Sequence, residues 1–176
     1  MKLLLNIFLL SLVFSLQAFS QTKFTLDKSS IYNVDASWTN QSHQPTTLKE
    51  LLGKPVVLAM VYTSCQAACP LLVTDMQKIE KALGAKDKDK VRFVLVSFDS
   101  DKDTPDELKH FAKAHGLDLS RWSLMTSNAD AVRDLAAVLN VQYKKDEDGN
   151  FSHSNVISVL DPQGKMVYQQ VGLGQD

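Results

Sequence analysis

Cysteine is nearly missing from this 176-residue chain, which holds only Cys65 and Cys69. Two cysteines cannot build the disulfide framework of a small secreted scaffold, and a chain of this length buries a proper core without one. Arginine is also scarce, at Arg92, Arg121 and Arg133 alone. None of the three sits in a motif that would support a peroxidatic thiol. Charge of one sign is lacking too: 19 basic side chains face 20 acidic ones, for a net charge of −1. That balance offers no electrostatic footprint for nucleic acid or for an anionic membrane surface. No internal repeat or low-complexity tract occurs.

The one long hydrophobic run is at the start. Met1 and Lys2 precede an apolar stretch to Phe19, interrupted by Asn6, Ser11, Ser15 and Gln17. Ala18 and Ser20 then put small residues at the −3 and −1 positions of a signal-peptidase site before Gln21. Residues 1–20 read as a signal peptide. The alternative is an uncleaved N-terminal anchor, because about 20 apolar residues span a bilayer. No cysteine lies near the cut, which excludes a lipoprotein anchor there. The expected location is outside the cytoplasm, in the periplasm, either soluble or tethered to the inner membrane by the leader. Such a compartment permits disulfides. Residues 21–176 then form one domain.

Within that domain, residues 24–47 are polar and irregular, with short strand-like pieces ("FTL", "IYNVDASW") that suit an N-terminal hairpin. Residues 47–53 read as a short helical turn or loop ending at Gly53. Residues 55–62 ("PVVLAMVY") and 91–98 ("VRFVLVSF") are apolar runs of the length of buried strands. Between them, Leu72, Met76, Ile79 and Leu83 recur at helical spacing, with Pro70 fitting the first helical position and Gly84 the end. Thr104, Pro105 and Glu107 form a capping-box signature for a second helix that Gly116 closes. "RWSLMT" predicts a third strand, and the segment after Ser127, the expected N-cap, a third helix. "KKDEDGN" reads as a solvated loop. "SNVISVL" and "KMVYQQVG" are strands joined by the turn Asp161-Pro162-Gln163-Gly164. The order βαβαβα followed by an antiparallel pair predicts an α/β, thioredoxin-like sandwich with a central mixed sheet flanked by helices. Such folds usually close with a further helix, and none is evident before Asp176.

Both cysteines lie in "YTSCQAACP", between the first strand and the first long helix. Pro70 as the first helical residue makes Cys69 the N-cap and puts both sulfurs near the positive end of the helix, which favours thiolate. A structural disulfide across so short a loop would remove little chain entropy. A redox pair and a metal site remain. Of the four histidines, His43 lies in the irregular N-terminal loop. His110 and His115 are five apart on the second helix, a spacing that does not put two ligands on one face. His153 stands before the strand "NVISVL", where a thioredoxin-like fold brings the chain toward the cysteine loop. Two thiolates and one imidazole make a soft three-ligand set that suits Cu(I) and can take Cu(II), one short of the usual four of structural zinc.

The blocks "VYTSCQAACPLL", "VLVSFDSDKDTPDEL" and "FSHSNVISVLDPQGKMV" resemble those of the SCO/SenC family over residues 30–174. These are thioredoxin-fold copper-binding proteins of cytochrome c oxidase assembly. The resemblance implies Cys65 and Cys69 as thiolate ligands and His153 as the imidazole ligand of one copper ion. It implies Asp99 as an auxiliary carboxylate near the site, while Asp103 reads as ordering the loop into the helix. Gln66 stands where many members have proline, and Ser152 where many have an acid. Two functions follow. One is a copper metallochaperone for the dinuclear copper site of cytochrome c oxidase or for another exported copper protein, with a copper donor and a thiol reductant as further partners. The other is a thiol–disulfide oxidoreductase, with Cys65 attacking and Cys69 resolving, that reduces an acceptor's copper-ligand cysteines. A peroxidase is disfavoured by the scarcity of arginine.

Overall fold

The computed structural model describes residues 26–174, so the leader and its cleavage site lie outside the described residues. A short hairpin, β1 (Trp38–Asn40) and β2 (Pro45–Thr46), precedes β3 (Val56–Val61), α1 (Ala68–Ala82) and the single turn α2 (Gly84–Asp87). β4 (Arg92–Ser97), α3 (Pro105–Ala114), β5 (Trp122–Thr126) and α4 (Ala129–Val138) follow. The chain continues through β6 (Tyr143–Lys145), β7 (Phe151–His153), β8 (Val156–Leu160) and β9 (Met166–Val171).

Seven strands form one mixed sheet in the order β2-β1-β5-β4-β3-β8-β9. β3, β4 and β5 run parallel, and β1, β8 and β9 join antiparallel to their neighbours. All six residues of β3 are buried, as an apolar run covered on both faces requires. Helices cover it with spaced apolar stripes: Leu72, Val73 and Met76 of α1, Leu108, Phe111 and Ala112 of α3, Val132, Leu135 and Ala136 of α4. Phe93 stacks on Trp122 with ring centroids 4.9 Å apart, joining β4 to β5 inside the core. The expected N-terminal hairpin is present and enters the sheet through Thr39 opposite Thr126. Parallel strands deliver their carboxyl ends to one edge, where loops gather sites in α/β folds.

Four local expectations change. Ile31–Asn33 is a 3₁₀ turn instead of a strand, because the Ser30 side chain accepts the Tyr32 N–H and both Ile31 and Tyr32 turn into the core. Asn128, not Ser127, caps α4: its side chain accepts the Ala131 N–H, while the Ser127 hydroxyl is used on the Ser37 carbonyl. α1 starts earlier than Pro70. The "KKDEDGN" region is not simply a loop, since β6 and β7 pair across it as a separate two-stranded sheet. Beyond β9, the Gly174 N–H donates to the buried Asp75 of α1 at 2.8 Å. Among the described residues no helix is long and apolar enough to cross a membrane.

The β8–β9 turn carries a strict requirement for glycine. Gly164 has φ +76°, and a Cβ there would lie 2.5 Å from the Tyr32 ring. Gly164→Ala should cost about 2–3 kcal/mol of folding stability, from strain plus overpacking, read as a lowered midpoint in urea; an unchanged midpoint would contradict this packing.

Candidate metal and redox centre

The chain leaves β3 at Val61, and Tyr62 to Ala67 form the loop that presents the first cysteine. α1 opens at Ala68 with Ala67 as a non-helical N-cap (φ −120°, ψ −75°) that offers no capping side chain. Pro70 is thus the third helical residue, still within the first turn, where a missing N–H costs nothing. The Cys65 sulfur takes the cap's place: it accepts the Cys69 N–H at 3.4 Å and a second backbone bond from Ala67.

The two thiols are unequal. Burial pushes the Cys65 thiol up, but the N–H groups of Cys69 and Ala67 and the side chains of Cys69 and Tyr62 outweigh it, and the thiol lies below its ordinary value. Cys69 is 0% exposed against 9% for Cys65. Its burial dominates and drives its thiol far up, with the charges of Cys65 and Asp103 adding to the rise against one backbone bond from Tyr62. The expectation that the helix end favours thiolate at both sulfurs therefore holds for Cys65 alone. Desolvation wins at Cys69.

His153 ends β7 and reaches the dithiol from the other side. Its Nε2 is 3.7 Å from Cys69 Sγ, and its Nδ1 is 3.3 Å from the Ser154 carbonyl. The tautomer with the proton on Nδ1 donates to that carbonyl and leaves an Nε2 lone pair facing sulfur. The ring packs 5.0 Å from Phe98 and edge-on to Tyr62 at 6.0 Å. One ligand atom from each of Cys65, Cys69 and His153 lies within 4.8 Å of the others, the only such trio among the described residues. Two sulfurs and one imidazole nitrogen form a donor set for a soft, thiophilic ion at low coordination number.

Asp99 does not join that trio. It is 1% exposed, and among the described residues its one close polar side-chain partner is Lys145, with Nζ 3.5 Å from Oδ1. Asp103 does more than order the start of α3. Its carboxylate accepts the Thr63 N–H at 2.9 Å, the Thr63 hydroxyl at 2.6 Å and the Ser97 hydroxyl at 2.5 Å, which ties the cysteine loop to the end of β4. Burial raises its pKa, the three donors lower it, and the charge of Asp99 adds to the rise, leaving it above the usual carboxylate range. The remaining histidines stand elsewhere: His43 is exposed and 3.0 Å from Asp106, His110 is exposed, and His115 packs on Phe111.

Sequence reasoning missed Tyr62. Its ring packs 5.2 Å from Phe151 and edge-on to His153 at 6.0 Å, and its phenol helps to lower the Cys65 thiol, so one side chain bears on both the dithiol and the histidine hairpin. A lone hydroxyl ending an otherwise apolar strand run is the signal that could have found it, since a buried phenol needs a partner.

A mixed sheet flanked by helices, with a dithiol where the first parallel strand meets the first long helix, defines the thioredoxin-like class. The SCO1/SenC family profile matches residues 27–171, and the chain belongs to that family. Similar solved structures include a SCO1/SenC family lipoprotein of Bacillus anthracis, 30% identical over 78% of this chain and 83% of that one, with a TM-score of 0.72. ScoI of Bradyrhizobium japonicum, solved with copper bound, is 27% identical over 76% and 85%, with a TM-score of 0.67. BsSco, a member of the Sco family of cytochrome c oxidase assembly proteins in which a disulfide switch was identified, is 25% identical over 78% and 81%, with a TM-score of 0.68.

The unequal thiols predict unequal alkylation of the reduced protein. Thiolate is the reactive form, so Cys65 should react with iodoacetamide with a pH midpoint below that of a free thiol, while Cys69 stays protected. Tyr62→Phe removes the phenol that helps to lower this thiol and should raise the Cys65 midpoint. Equal reactivity of the two cysteines, mapped by mass spectrometry, would contradict this assignment.

Proposed function

We propose that this protein is an exported copper metallochaperone that carries one copper ion on Cys65, Cys69 and His153. The observation that supports this reading is the convergence of exactly those three donor atoms within 4.8 Å, in a family with a member solved with copper bound. Copper is cargo here and has to leave. Cys65 is the more exposed sulfur, so an acceptor's thiolates exchange there first, while buried Cys69 holds on longest. The acceptor is the dinuclear copper site of cytochrome c oxidase, or another exported copper protein with soft ligands. BsSco's place among oxidase assembly proteins favours the former.

A second reading, thiol–disulfide oxidoreductase, draws on the inequality of the sulfurs. The Cys65 thiolate attacks one sulfur of an acceptor disulfide, forming a mixed disulfide and releasing the other acceptor sulfur as thiolate. Cys69 then gives up its proton to His153 Nε2, 3.7 Å away, and attacks Cys65, releasing the second acceptor sulfur as a thiolate, which takes up a proton. The acceptor gains two electrons, and the protein ends oxidised as a Cys65–Cys69 disulfide.

Reduced protein should bind one Cu(I) per chain in competition with a chromogenic chelator. Replacing either cysteine with serine should abolish tight binding, and His153→Ala should weaken it by about a hundredfold or more while leaving the dithiol oxidisable. Stoichiometric tight binding by Cys65→Ser would sink the copper reading. Undiminished affinity in His153→Ala would remove His153 from the ligand set.

A further inference from the structure

The β6–β7 hairpin delivers His153 yet shares no strand pairing with the main sheet. Two three-residue strands are not stable in water by themselves, so contacts from outside must hold the hairpin in place. Some are aromatic: Phe151 lies 5.0 Å from Phe98 and 5.2 Å from Tyr62, and Tyr143 stacks on Phe98 at 5.3 Å. One is ionic. Lys145 Nζ sits 2.9 Å from Asp101 Oδ2, 3.5 Å from Asp99 Oδ1 and 5.3 Å from the centre of the Phe151 ring.

The two carboxylates differ in what they cost. Asp101 is 78% exposed, and its pair with Lys145 is screened by water. Asp99 is 1% exposed, and among the described residues Lys145, at 3.5 Å, is the counter-charge set against its buried carboxylate. Lifting the hairpin strips Asp99 of that cation, and a buried charge left unpaired is expensive. Lys145 pairs with Phe151, and Tyr143 with His153, across the same three-rung ladder. Fixing one end of so short a ladder fixes the other.

We propose that the Lys145–Asp99 pair is a latch that holds the His153 hairpin over the dithiol, making both residues positioning residues for the third ligand. The inference rests on the reading of His153 as a copper ligand. In that role the latch sets how readily the imidazole withdraws, and therefore how fast cargo passes on.

Hydrogen exchange of the hairpin amides in metal-free protein tests the latch without copper, and Cu(I) release to excess chelator tests its consequence. Lys145→Met should speed both by about tenfold or more, beyond what an exposed ion pair supplies, and Lys145→Arg should restore both. Asp99→Asn/Lys145→Met removes the buried charge together with its partner. It should recover global stability while leaving the hairpin as loose as in Lys145→Met. In a His153→Ala background, Lys145→Met should still loosen the hairpin but no longer change copper release. Unchanged hairpin exchange in Lys145→Met overturns the latch, as does an equal acceleration of release with His153 already absent. A His153→Ala variant that releases copper like the parent refutes the ligand reading instead, and the exchange data then decide the latch alone.

Discussion

The carboxylate of Asp103 is the interaction on which the rest of the centre depends. It is 2% exposed, and three donors from two different elements converge on it. A buried acid is tolerated when its lone pairs are filled, and once filled it fixes its donors firmly. Here those donors are the Thr63 backbone and hydroxyl, two residues before Cys65, and the Ser97 hydroxyl at the end of β4. Ser97 in turn accepts the Asp99 N–H at 3.0 Å. The cysteine loop is thereby registered against the neighbouring parallel strand. The same short segment also offers Phe98 and Asp99 to the histidine hairpin. One connection, residues 97–103, therefore positions both halves of the centre, though it supplies none of the three converging donor atoms.

The environments of the two sulfurs divide their chemistry. Cys65 is stabilised as thiolate by backbone N–H groups at the start of α1, so it is the readier nucleophile of the two. Cys69 is held protonated by burial until a cation or an electrophilic sulfur arrives. That arrangement serves metal transfer and disulfide exchange equally, because each needs one sulfur ready and one in reserve. The imidazole weighs differently in the two roles: dithiol exchange needs it only in passing, as a base for the Cys69 proton, whereas a soft cation keeps it as a ligand.

Much of the frame was legible in the sequence, for physical reasons. β3 and β4 announce themselves as apolar runs because both faces are buried, and α3 as a cap followed by proline, because Thr104 accepts the Glu107 N–H as its sequence suggests. The Asp161–Gly164 turn is likewise local chemistry. What stayed hidden depends on distant partners. The β6–β7 hairpin looks like a polar loop because its strands are too short to show a period and its anchors, Tyr62, Phe98 and Asp99, are remote in sequence. The start of α1 was misplaced because a sulfur from the preceding loop, and not a residue at the cap position, meets the first helical N–H groups. Asn128 displaced Ser127 as a cap because a carbonyl across the sheet edge claimed the serine hydroxyl. The two cysteines stood out by their setting. His153 could be paired with them only through the fold.

The central claim is that two sulfurs and one imidazole nitrogen close on a single copper ion. X-ray absorption spectroscopy of the reduced, Cu(I)-loaded protein tests it most directly. The account predicts two sulfur scatterers and one imidazole nitrogen around each copper, with the nitrogen lost in His153→Ala. A shell of sulfur alone in the parent protein, or an imidazole signal that survives in His153→Ala, would contradict it.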